Sequence, residues 1–180
     1  MKQMNLPNKL TILRILLVPF IILCFYLPAS WGMWVAVVLF IVAAITDTVD
    51  GRYARAHDMV TDFGKFMDPI ADKLLVNSVL VMLTAQGKVP AVATILFIAR
   101  EFVISGLRLV AAGKGVVLAA GNLGKIKTTL QDLALPFLMV SECWKPFKIL
   151  GNILLYASLL MSVWSGWDYV YRHSQLNEQV

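Results

Sequence analysis

Long apolar runs alternate along this chain with polar breaks, most of them too brief to hold more than a turn. Read against the roughly 20 residues that a bilayer's hydrocarbon demands, the runs predict an all-α integral membrane protein of six transmembrane helices. The first span covers about Leu10 to Leu27, with Pro19 marking a bend, and Pro28 to Trp31 turns the chain. The second begins near Trp31 and continues past Ile45 into a polar stretch, TDTVDGRYARAHDMVTDFGKFMDPIADK, residues 46–73. A short turn around His57 to Phe63 leads to the third span. It starts near Gly64 or Asp68 and ends before Gln86 to Pro90; Pro69 is tolerated near a helix start, where its missing N–H costs little. The fourth covers about Val89 to Ala112, the fifth Lys125 to Val140 and the sixth Ile149 to Val170. A glycine-bearing loop, Gly113 to Gly124, separates the fourth from the fifth. With no internal repeat and no low-complexity linker, residues 1–180 read as one domain.

Composition excludes the soluble alternative. Hydrophobic residues make up 59% of the 180 and charged residues 15%, and the mean hydropathy is +0.74. A soluble domain carries about 45–50% and about 25% respectively, and its helices keep a polar face. The net charge of +5 is an orientation signal rather than a nucleic-acid footprint. With the N-terminus in the cytoplasm, every Lys and Arg except Lys88, Arg100, Lys145 and Lys148 falls at a cytoplasmic end. Both termini are therefore expected in the cytoplasm, in the inner (cytoplasmic) membrane, with residues 46–73 at its cytoplasmic edge. Trp31, Trp34, Trp144, Trp164 and Trp167 lie mostly near span ends, as interfacial anchors do. Cys24 and Cys143 lack partner spacing, so neither a disulfide framework nor a thiolate metal site is indicated. The first apolar segment has no small-residue cleavage pattern and is read as retained.

The candidate chemistry sits where the second and third spans meet. Six of the eleven acidic residues fall within residues 46–73. Asp47 and Asp50 are three apart and Asp68 and Asp72 four apart, so on helices each pair shares a face. Antiparallel helices bring the two pairs together, and four converging carboxylates resist ionisation unless a cation sits among them. With no His or Cys in the set, hard divalent cations (Mg²⁺, Mn²⁺ or Ca²⁺) suit it better than zinc. Two such ions suit displacement at phosphorus. Gly51 and Ala54 leave room for a flat ligand against the helix backbone, and Arg55 offers a forked donor to phosphate oxygens. Gly64 relaxes the turn or admits the same ligand. His57, Asp58 and Asp62 read as solvated turn residues, Asp62 also as a helix cap.

The pattern Asp47-x2-Asp50-Gly51-x2-Ala54-Arg55-x8-Gly64-x3-Asp68-x3-Asp72 resembles, without a departure, the signature of the CDP-alcohol phosphotransferase family. That resemblance implies six spans with the signature between the second and third, two divalent cations (Mg²⁺ or Mn²⁺) and a homodimer. It also implies a reaction in which an alcohol hydroxyl attacks the β-phosphorus of a CDP-linked substrate and CMP leaves. By position, it makes Asp47, Asp50, Asp68 and Asp72 metal ligands and Asp72 also the base. Asp50, Gly51, Ala54, Arg55 and Gly64 fall in the CDP site. The location of Asp72, one turn from Asp68, agrees with a base beside a metal site.

The acceptor is read from two further stretches. AREFVISGLRLVAAGKG, residues 99–115, carries Ser105 and Arg108 on one face, and GNLGKIKTT, residues 121–129, carries Lys125, Lys127 and Thr128. Ser105, Arg108, Lys125 and Lys127 are expected to form a cationic pocket for an acceptor with its own phosphate. Glu101 is expected to pair with Arg108, Asp132 with a nearby Lys or Arg, and Asn8, Thr11 and Arg14 to approach the nucleotide. NLPNKLTILRI and REFVISGLR are similar to the branch of the family that uses sn-glycerol 3-phosphate. This implies CDP-diacylglycerol and glycerol 3-phosphate as substrates, with phosphatidylglycerophosphate and CMP as products. The alternatives are a family member making cardiolipin, phosphatidylinositol phosphate or phosphatidylserine, and, from another class, a divalent-cation transporter. A midplane transport site would leave Gly51, Ala54 and Arg55 without a duty.

Overall fold

The computed structural model describes residues 6–27, 30–56, 62–113 and 122–177; within these, the side chains of residues 6–7, 30, 47–56, 62–63, 65–66, 112, 122 and 170–177 lie outside the description. His57, Asp58 and most of the loop expected at Gly113 to Gly124 also lie outside it. The described residues form helices α1 (Leu6–Cys24), α2 (Ser30–Ala56), α3 (Asp62–Ala85), α4 (Ala91–Gly113), α5 (Asn122–Met139) and α6 (Lys145–Asn177), with no strand among them. Each helix corresponds to one expected span. All begin or end beyond the apolar run because polar residues continue the helix past the oily part. Pro19, Pro69 and Pro136 are all accommodated inside helices.

Contacts between helices run alternately early and late along the chain. Thr11 meets Asp68, Lys127 meets Glu101, and Arg100 meets Ser165. At the opposite end, Thr84 meets Thr94, and Lys88 meets the Met139 carbonyl and Glu142. The helices therefore run up and down, and the starts of α1, α3 and α5 share an end with the last turns of α4 and α6. α1 packs along α2 and α3, α5 along α6, and α4 leans more on α6 than on α3.

The turn after α3 is closed by backbone bonds from Gly87 N–H to the Thr84 carbonyl (2.9 Å) and from Lys88 N–H to the Leu83 carbonyl (2.9 Å). This paired pattern needs a left-handed residue, and Gly87 supplies it at φ 70°. Between α5 and α6 the backbones approach closely at Gly151. A Cβ there would lie 2.9 Å from Leu138 Cγ and Cδ2 and 3.2 Å from the Leu138 backbone nitrogen, which cannot yield as a side-chain tip can. Gly151→Ala is expected to cost about 1–3 kcal/mol through overpacking, read as a lowered thermal midpoint in detergent.

Burial is inverted relative to a water-soluble bundle. Phe40, Phe97, Leu80 and Leu135 fill the centre, but so do Thr11, Arg14, Lys127, Gln131, Ser158 and Ser162. The outside carries Leu16, Phe20, Ile41, Ile95, Phe102, Leu160 and Trp164. Polar groups turned inward and large apolar groups outward suit hydrocarbon as the solvent. By length and composition, Lys145–Tyr169 (25 residues) is able to cross a membrane, and Trp31–Thr46 is a shorter apolar helix. The five tryptophans are exposed.

Candidate active site

Asp68 and Asp72 lie near the start of α3, one turn apart and each partly buried. The Thr11 hydroxyl donates to Asp68 Oδ1 at 2.5 Å, so the first helix orients this carboxylate and leaves Oδ2 for another partner. Asn8, Thr11 and Arg14 form a buried polar face on α1, and Arg14 Nε donates to the Ala43 carbonyl at 3.4 Å. Asp47, Asp50, Gly51, Ala54 and Arg55 fall on the closing turns of α2, with their side chains outside the description, and Gly64 is buried at the start of α3. Among the described residues no three metal-binding groups gather. The described members of the expected set, Asp68 and Asp72, offer only hard carboxylate oxygens, the donor type that Mg²⁺ and Mn²⁺ accept.

Thr11→Val keeps the side chain's shape and removes the bond to Asp68. It is expected to lower turnover by about 10- to 100-fold, the range for losing a group that orients a metal ligand. CMP release at saturating substrates measures it.

Beside Asp72 lies a chamber of about 30 Å³, lined by Asp72, Lys73 and Asn77 of α3, Glu101 of α4, and Lys127, Thr128 and Gln131 of α5. It has room for roughly one or two waters. Glu101 is its hub. Its Oε1 accepts from Lys127 Nζ at 2.5 Å and from Arg100 Nη1 at 2.9 Å, and its Oε2 lies 3.9 Å from Lys73 Nζ. Arg100 also donates to the Ser165 hydroxyl at 3.0 Å. The Ser105 hydroxyl donates to the Glu101 carbonyl at 2.5 Å and accepts from Lys73. The Thr128 hydroxyl donates to the Gly124 carbonyl at 3.0 Å.

Of the four expected acceptor residues, Lys127 is drawn into this cluster directly and Ser105 through Lys73. Lys125 is exposed, because two residues along a helix point to nearly opposite sides. Arg108 lies with its guanidinium 5.6 Å from the centroid of the Tyr169 ring, a cation–π contact to α6. The expected Glu101–Arg108 pair is replaced by pairs to Lys127, Arg100 and Lys73. Seven positions separate Glu101 from Arg108, almost two full turns, whereas α5 brings an ammonium directly opposite. Asp132 faces a separate groove of about 630 Å³ between α2, α5 and α6, beside Thr129, Ala44 and Ile45. The sequence reading gave no site role to Lys73, Arg100 or Gln131. The available signal was the placement of Arg100 and Glu101 inside an apolar span, where ionisable side chains require partners.

Residues 4–164 match the family described as CDP-alcohol phosphatidyltransferase. A CDP-diacylglycerol–glycerol-3-phosphate 3-phosphatidyltransferase of Bacillus subtilis (strain 168) is 42% identical, covering 92% of this chain and 93% of its own length. Enzymes of the same name from Rickettsia felis and Shigella flexneri serotype 5b are 41% and 38% identical, covering 92% and 93% of this chain and 93% and 94% of their own lengths.

Proposed function

The chain belongs to the CDP-alcohol phosphatidyltransferase family, and on that footing we propose that it transfers the phosphatidyl group of CDP-diacylglycerol to sn-glycerol 3-phosphate. The products are phosphatidylglycerophosphate and CMP. The names of the relatives support both substrates. The geometric observation that supports the reading most directly is that one chamber is lined both by Asp72 and by Lys127. A carboxylate base and a cation for an anionic acceptor thus stand side by side.

In this reading Asp47, Asp50, Asp68 and Asp72 hold two divalent cations, Mg²⁺ or Mn²⁺, which when bound neutralise charge on the pyrophosphate oxygens. Thr11 fixes the Asp68 carboxylate. Gly51, Ala54 and Gly64 leave space for the cytidine, and Arg55 donates to phosphate oxygens. Lys127, with Ser105 steadying Lys73, meets the acceptor's phosphate, and Arg108 and Lys125 flank its approach. Asp72 takes the proton from the acceptor hydroxyl as that oxygen bonds to the β-phosphorus, and the bond to the CMP oxygen breaks in line. No covalent enzyme intermediate is needed, because the protein's work at phosphorus is positioning and charge compensation.

The outward apolar surface and the Lys and Arg bias support a single-domain protein of six spans, with both termini and the site on the cytoplasmic side of the inner membrane. The family resemblance adds a homodimer. The apolar groove between α2 and α5 suits an acyl chain whose headgroup reaches the closing turns of α2. Purified protein in detergent, given CDP-diacylglycerol and Mg²⁺ or Mn²⁺, is expected to release CMP only when glycerol 3-phosphate is added. Release with phosphatidylglycerol, inositol phosphate or serine in its place would reassign the acceptor. Absence of release with all of them would remove the enzymatic reading.

A further inference from the structure

Lys127 belongs to α5, Glu101 and Arg100 to α4 and Lys73 to α3, so one carboxylate ties three helices together through three cations. The Lys127 side chain is only 3% exposed. An ammonium so far removed from water needs a partner within hydrogen-bond reach, and Glu101 provides it at 2.5 Å when no substrate is present. One negative charge does not offset three positive ones, so the cluster keeps a positive surplus beside the Asp72 chamber. Lys127 offers three N–H donors, and a bond to Glu101 leaves others for a ligand. The Lys73 ammonium is held by Ser105 and faces the same carboxylate. Lys73, Glu101 and Ser105 also border a groove of about 550 Å³ between α3 and α4.

We propose that Glu101 is a positioning residue for the acceptor, holding Lys127 and Lys73 in place so that an arriving phosphate monoester meets ammonium groups already oriented toward Asp72. This deepens, and rests on, the reading of the acceptor as glycerol 3-phosphate. Glu101 itself does not contact the phosphate, since like charges repel. It acts through the two lysines, and Arg100, anchored to Ser165, keeps the carboxylate aimed at α5.

The test is the kinetics of Glu101→Gln and Glu101→Asp, each substrate varied in turn. Glu101→Gln is expected to raise the KM for glycerol 3-phosphate at least tenfold while the KM for CDP-diacylglycerol stays within twofold. Glu101→Asp, which keeps the charge, is expected to fall between Gln and the wild type. A merely structural role would lower the thermal midpoint without separating the two substrates. An unchanged or lowered acceptor KM, or equal changes in both KM values, overturns the proposal. Should Glu101→Gln fail to fold, Glu101→Asp decides: a threefold or greater rise for the acceptor alone supports the assignment, and none rejects it. Failure of the acceptor reading is separately visible, as wild-type protein that releases no CMP with glycerol 3-phosphate.

Discussion

Replacing Asp72 with asparagine is expected to lower turnover by about 10²- to 10⁴-fold, the range of general-base contributions, while CDP-diacylglycerol still binds. The amide matches the carboxylate in shape, so the chamber it shares with Lys73, Asn77 and Lys127 keeps its lining. It has no oxygen basic enough to take the hydroxyl proton. Asp68 remains oriented by Thr11 and is the nearest remaining carboxylate on α3. Single-turnover CMP release and equilibrium binding of the CDP-lipid check the two halves separately. Near-wild-type turnover would reject Asp72 as the base.

Lys127→Met is expected to raise the KM for glycerol 3-phosphate roughly 10- to 100-fold, corresponding to the about 1.5–3 kcal/mol of a hydrogen bond to a charged group. Methionine fills the space of the lysine stem, which packs against the Phe97 ring. Glu101 is not orphaned, since Arg100 remains 2.9 Å away and Lys73 3.9 Å away. The loss should therefore read as weaker acceptor binding rather than collapse of the bundle. Steady-state rates with glycerol 3-phosphate varied at saturating CDP-diacylglycerol measure it. An unaltered acceptor KM would move the anion site away from α5.

Six apolar runs located the six helices, and the Asp-Gly-Ala-Arg pattern located the candidate site, because both are periodicities within one segment. Helix ends were less legible. Hydropathy detects the oily part of a helix, so it started α5 at Lys125 and α6 at Ile149, whereas the helices begin at Asn122 and Lys145. Pairing between helices was not legible at all. Spacing alone put Glu101 and Arg108 on one face, but the rotation of α4 against α5 brings Lys127 to the carboxylate instead. The separation of Lys125 from Lys127 was available from helical geometry. Whether both reached one ligand depended on how α5 turns in the bundle, which a single segment does not encode.

The Arg100–Glu101–Lys127 contacts bear on how the chain reaches its place as it leaves the ribosome. At the centre of a lone helix, each Arg, Lys or Asp costs about 2.5–3.5 kcal/mol to insert. α4 carries Arg100, Glu101 and Arg108, and α5 carries Lys125, Lys127 and Asp132, so neither is a favourable solitary passenger. α6 is apolar enough to enter unaided over Lys145–Tyr169, yet it emerges last. Biogenesis of this bundle should therefore be concerted in its second half, with α4 retained near the translocation channel until α5 delivers the neutralising ammonium.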